Sequence, residues 1–232
     1  MPSIRVVSEV LIKFTDIYAP GALTVIYGPF SSGKTSLSLR IACNTVLARG
    51  KVFFISTENE LFVERILDNR ILEKIDIAVI RDYKQQHYVV TRRLEPIISR
   101  GNYNLIIVDS ITGLMRTWDN IEEAVKMINM QLAYLLYIAR KYMIPVIVTG
   151  QVRAVISEEP VEQVGEDFEA TAKSILEYWA TIMVRLEVIG GGYRKLIIEK
   201  HALNNKLENV STRFKLVEGT IVELTPNTNH NT

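Results

Sequence analysis

One cysteine, three histidines and almost no net charge in 232 residues set the first limits. Cys43 alone excludes an intrachain disulfide and fits a reducing compartment, which predicts a cytoplasmic protein. His87, His201 and His230 are scattered, and no group of His, Cys, Asp and Glu has metal-ligand spacing. That argues against a protein-built zinc site. With 27 basic and 26 acidic residues the charge is +1, so nucleic acid must meet a local patch rather than a global field. No apolar run approaches the roughly 18 residues of a membrane span, and no signal-peptide core opens the chain, so no membrane partner is expected. Repeats and interdomain linkers are missing too. The expectation is one domain over 1–225, with a disordered polar tail over 226–232.

What is present begins with Gly28-Pro29-Phe30-Ser31-Ser32-Gly33-Lys34-Thr35-Ser36, which fits the P-loop pattern G-x-x-x-x-G-K-[ST]. Leu23–Tyr27 before it reads as a β-branched strand, and 34–49 after it as an amphipathic helix. That context matters because the chemistry is geometric. Glycines let backbone N–H groups turn inward around an anion, and the free amides of the new helix add to the attraction. Lys34 can reach the β- and γ-phosphates, and the Thr35 hydroxyl can ligate Mg²⁺.

Strand and helix alternate through the first 150 residues. Lys51–Ser56, Ile75–Ile80, Leu105–Asp109 and Pro145–Thr149 read as strands, continuous and apolar as burial on both faces requires. Helices are expected from Thr57 to about Asn69, over 85–99, and in a long segment from Ile121 to Ala139. Residues 3–19 read as short strands or a strand and a turn. The pattern predicts an α/β fold with a mostly parallel central sheet flanked by helices. Residues 152–172, polar and holding Pro160 and Gly165, read as a long loop. Thr181–Val188 and Arg194–Lys200 then form an antiparallel hairpin about Gly190-Gly191-Gly192, and 211–217 with 220–224 a second pair.

A P-loop ATPase needs a second carboxylate for Mg²⁺. Asp109, ending an apolar strand some 75 residues on, has the right place. Ser110 rather than Glu follows it, so a water-activating base must come from elsewhere. Glu58 is the candidate, because the C-terminal ends of parallel strands open on one crevice. Its alternative is helix capping, since Thr57 and Glu60 form a capping box. Gln151, just past the fifth strand, opens on the same edge, and its alternative is a solvated loop residue.

Together these pieces resemble the RecA/RadA recombinase core, and particularly the short archaeal RadA paralogues of RadB type, over residues 22 to about 224. Ser56-Thr57-Glu58-Asn59-Glu60-Leu61-Phe62-Val63-Glu64-Arg65-Ile66 is similar to the family's Asp-Thr-Glu and Phe-Arg-Pro-Glu-Arg-Ile segments. Val108-Asp109-Ser110 matches its Val-Asp-Ser, Thr149-Gly150-Gln151-Val152 its Thr-Asn-Gln-Val, and Glu199-Lys200-His201 the Glu-Lys-His of RadB-type chains. The resemblance implies a RecA-like ATPase core with a C-terminal antiparallel β-hairpin extension. It implies ATP and Mg²⁺ as ligands, Glu58 as catalytic base, Gln151 as γ-phosphate switch and Arg65 stacked on adenine. KaiC-type ATPases share the scaffold less closely.

Departures qualify the activity. With the P-loop at residue 28, the helical DNA-binding domain that precedes the RadA core is expected to be missing, and Phe14-Thr15-Asp16-Ile17 misses the Phe-x-x-Ala polymerisation motif at its last position. The first DNA loop would be Met115–Asn120, holding Arg116 and Trp118. The second, Arg153–Ala172, sets six carboxylates (Glu158, Glu159, Glu162, Glu166, Asp167, Glu169) against Arg153 and would repel a phosphate backbone. Arg92 and Arg93, in a basic and aromatic stretch over 81–100, could meet single-stranded DNA or form a solvated helix face. The leading expectation is a slow ATPase that assists homologous recombination and repair without full strand exchange. Its partners would be weakly bound single-stranded DNA and a RadA-type recombinase or other repair protein. The alternative is an ATP-gated regulatory or scaffolding protein that binds a protein partner instead of DNA. A small-molecule kinase fits the Thr-Glu and Gln positions poorly.

Overall fold

The computed structural model describes residues 14–57, 69–117, 120–151, 164–217 and 220–223. The expected strand before Phe14, Glu58, Arg65, Trp118, residues 152–163 and the tail lie outside them. Phe14–Ile17 is a 3₁₀ turn rather than strand. Ile17 is fully buried, and its carbonyl accepts the Thr24 hydroxyl at 2.9 Å.

β1 (Leu23–Gly28) runs through the loop into α1 (Lys34–Leu47), and β2 (Val52–Ser56) follows. After α2 (Asn69–Leu72) come β3 (Ile75–Val79), α3 (Tyr83–Tyr88), a π-helical segment (Val89–Arg93) and α4 (Leu94–Gly101). The Asp82 side chain caps α3 by accepting the Gln85 N–H at 2.9 Å, which is why this helix starts before residue 85. β4 (Leu105–Asp109) leads through a 3₁₀ turn (Gly113–Thr117) to α5 (Ile121–Tyr142) and β5 (Val146–Gln151). Met115, expected in a DNA loop, is buried in that turn.

Residues 164–172, expected as loop, begin α6 (Val164–Trp179). Gly165 and the acidic residues around it give the segment a loop-like composition, although Val164, Phe168, Ala172 and Leu176 keep helical spacing; Ala172 is buried, and Leu176 and Trp179 reach the core. β6 (Ile182–Gly190) and β7 (Tyr193–His201) then form the expected hairpin, followed by β8 (Ser211–Val217) and β9 (Thr220–Glu223). Gly191 and Gly192 both take positive φ, as the central positions of a primed hairpin turn require. Ile182, Val184 and Leu186 are fully buried, whereas Val188 is 47% exposed, beside a bulge that breaks the alternation.

Among the described residues the strands form one nine-stranded sheet in the order β3, β2, β4, β5, β1, β6, β7, β8, β9. The six from β3 to β6 are parallel and the rest antiparallel. Two apolar cores sandwich the sheet. Leu37, Ile41 and Ala42 of α1 pack on one face with Ile26, Phe54 and Ile107. Ile128, Leu132 and Leu135 of α5 pack on the other with Val25, Ile55 and Val108. Because parallel strands end together, β2, β4, β5 and β1 bring Ser56, Asp109, Gln151 and Gly28 to one edge.

Candidate functional site

The loop between β1 and α1 is shaped by its glycines. Gly28 and Gly33 have φ of 155° and 96°, and Ser31 joins them in the left-handed region at 59°. A Cβ on Gly28 would sit 2.3 Å from the Leu186 carbonyl oxygen of β6, so only glycine fits. Gly33 starts α1 without a side-chain cap, leaving first-turn amides to other acceptors. Lys34 is 6% exposed, and its Nζ donates to the Gly28 and Pro29 carbonyls at 2.9 and 2.8 Å. The Ser32 N–H meets the same Pro29 carbonyl at 3.3 Å. The expected phosphate-binding groups therefore converge, and the loop's own carbonyls are what they hold. Ser36 is buried in the first turn of α1, Thr35 half-buried, and Phe30 81% exposed at the rim.

Asp109 is 3% exposed at the end of β4, and Thr149 of β5 donates its hydroxyl to Oδ1. Gln151 pairs in register with Gly28, which puts it beside the start of the P-loop. Its N–H donates to Thr112 Oγ1 at 3.0 Å, tying the end of β5 to the turn after Asp109. Thr57, read as half of a capping box, spends its hydroxyl on Ser110. Oγ1 accepts the Ser110 N–H at 2.9 Å and donates to its carbonyl at 3.0 Å, while the Thr57 N–H bonds the Asp109 carbonyl at 2.9 Å. Thr57 is thus held beside Asp109.

Two buried hydroxyls on this edge, Ser32 and Ser110, have no hydrogen-bond partner among the described residues. An unsatisfied buried polar group costs about 1–3 kcal/mol, and both residues are fully buried. Thr35 and Asp109 supply a hydroxyl and a carboxylate, the hard oxygen donors that suit Mg²⁺.

Glu199 of the Glu-Lys-His segment is locked to β1. It accepts the Tyr27 hydroxyl at 2.5 Å and Arg185 Nε at 2.6 Å. Burial, and then the Glu199 carboxylate, push the Tyr27 pKa well above its ordinary value. Lys173 of α6 lies 5.5 Å over the Tyr27 ring, linking the helix beyond β5 to the residue that precedes the P-loop. Lys200 donates to the Glu177 carbonyl at 3.0 Å, and His201 Nε2 meets the Asp16 carbonyl at 3.0 Å. Both serve as packing contacts at the far end of the hairpin. Sequence reasoning gave no role to Thr149, Thr112, Tyr27 or Arg185. The Thr at the end of an apolar strand was the one available signal for the first.

Arg92 and Arg93 are exposed on the π-helical segment, whereas Tyr83 from the same stretch is buried and donates to the Ala124 carbonyl at 3.0 Å. The two arginines sit on the α5 side of the sheet. Arg116 lies in the 3₁₀ turn after β4.

The pattern of the Rad51 family matches residues 14–223. The DNA repair and recombination protein RadB of Methanocaldococcus jannaschii is 35% identical over 209 residues, covering 85% of this chain and 91% of its own length. The protein of that name from Thermococcus kodakarensis is 31% identical over 211 residues, covering 87% and 90%. A crystal structure of the RadB recombinase superposes with a TM-score of 0.64 at 28% identity, covering 97% of this chain and 100% of that one. P-loop, Asp109 strand, Gln151 edge and antiparallel extension stand on one sheet, and the match spans nearly all of it: the chain belongs to the Rad51 family, beside its RadB-type members.

Proposed function

We propose that this chain is a slow, Mg²⁺-dependent ATPase that assists homologous recombination and DNA repair as a recombinase paralogue. Members of the Rad51 family are ATPases. The observation that carries the reading is the buried Lys34 ammonium bridging the Gly28 and Pro29 carbonyls, on the edge where Asp109 and Gln151 end. In this reading the amides of 31–33 and Lys34 bind the β- and γ-phosphates, with Pro29, Phe30 and Ser36 completing the loop. Thr35 and Asp109 hold Mg²⁺, which when bound neutralises phosphate charge. Glu58 orients the attacking water, Gln151 reports the γ-phosphate to the chain beyond β5, and Arg65 stacks on the adenine. Among the described residues no helix is long and apolar enough to cross a membrane, and the single cysteine suits the cytoplasm.

DNA is proposed as a weak partner, met by Arg116 and the Arg92/Arg93 face, and a RadA-type recombinase or another repair protein as the protein partner. Each neutralised phosphate of a single strand contributes a slope of about −0.7 in log K against log salt. Two to four such contacts predict a roughly 7–50-fold loss of affinity between about 50 and 200 mM salt. ATP hydrolysis and single-stranded DNA binding measured at both salt concentrations test this. Hydrolysis without any DNA response favours the regulatory reading, which rests on the carboxylates of 158–169. Tight, salt-resistant DNA binding contradicts both.

A further inference from the structure

Arg194 of β7 reaches the P-loop from 163 positions away: its Nε donates to the Ser31 carbonyl at 3.0 Å. Its Nη1 donates to the Tyr193 carbonyl, also at 3.0 Å, so the guanidinium is fixed at two points. In a trans peptide the C=O of one residue and the N–H of the next point in opposite directions. Holding the Ser31 carbonyl outward therefore turns the Ser32 N–H inward, where it meets the Pro29 carbonyl that Lys34 also holds. Ser31 needs such an anchor, because a non-glycine residue sits in the left-handed region against its own preference. The same antiparallel extension backs the loop elsewhere. Gly28 lies against the Leu186 carbonyl of β6, and a Cβ on Gly33 would lie 3.2 Å from Leu216 Cδ1 of β8. Strands that carry none of the nucleotide motifs thus form the outer wall of the phosphate loop.

We propose that Arg194 is a positioning residue for phosphate binding, fixing the Ser31–Ser32 peptide so that the Ser32 amide faces the cradle. The proposal rests on the nucleotide reading of the loop. A planar guanidinium held at two carbonyls fixes direction as well as distance, which an ammonium does less well.

Hydrogen exchange on the nucleotide-free protein, paired with ATP, ADP and AMP titrations, tests it. Arg194→Ala is expected to speed amide exchange of residues 29–34 about tenfold while β4 and β5 keep wild-type rates. ATP and ADP affinities fall about 5–10-fold, AMP affinity holds, and Arg194→Lys recovers part of both effects. A merely structural loss would instead loosen β6, β7 and β8 together and weaken all three nucleotides alike, which overturns the proposal. Unchanged loop exchange, or a loosened loop with unchanged ATP affinity, overturns it as well. Should the wild type bind no nucleotide while Arg194→Ala still loosens the loop, the clamp on Ser31 stands and the nucleotide reading falls.

Discussion

Glu58→Gln is expected to keep ATP bound and slow its hydrolysis at least ~10²-fold, the lower range for a positioned general base. Ser110 occupies the place after Asp109 where a Glu would otherwise sit. A base must then come from a neighbouring strand end. β2 runs directly beside β4, with Ser56 opposite Asp109 in register. Thr57 is fastened to Asp109 and Ser110 by three hydrogen bonds, so the end of β2 is held at the edge where β4 ends. Gln keeps the size and hydrogen bonding of Glu but cannot take a proton, so binding and turnover separate. Single-turnover hydrolysis beside an ATP titration reads both. Hydrolysis at the wild-type rate would return Glu58 to helix capping.

Gly28→Ala should damage fold and site together. The new Cβ meets a backbone carbonyl on β6 at 2.3 Å, and neither strand can yield without disturbing the pairing of β1 with β5 and β6. Overpacking of this kind costs about 3 kcal/mol. For a domain of this size that lowers the melting temperature by roughly 6–12 °C. Shifting the backbone at position 28 also moves the carbonyl that Lys34 holds, so ATP affinity falls further than stability explains. Thermal unfolding with and without ATP checks this. An alanine variant as stable and as nucleotide-responsive as wild type would show that β6 does not back the loop.

How much of this was legible in the sequence depended on the range of each signal. Leu105–Asp109 could be read as a strand ending in the site because burial on both faces leaves a continuous apolar run. The P-loop could be read because its geometry is dictated within nine consecutive residues. The start of α6 reads as loop because Gly165 and the carboxylates Glu166, Asp167 and Glu169 give the segment a polar, loop-like composition that outweighs the helical spacing of Val164, Phe168 and Ala172. The link from Thr57 to Ser110 could not be read, because the two residues are 53 positions apart. Arg194 offered no signal, because nothing local to β7 shows that the hairpin folds over Ser31. Strand order, likewise, is set by long-range packing that no window of sequence displays.

The most direct test of the account is an ATP titration, with Mg²⁺ present, of the wild type against Lys34→Ala. Lys34 is buried and makes two charge-assisted contacts with the loop, and it is positioned to transfer them to phosphate. Removing it should forfeit about 3 kcal/mol of binding, close to a 10²-fold rise in Kd. A wild type that binds ATP and a variant weakened to that degree is the predicted result. Equal affinities, or no binding by the wild type, would contradict it.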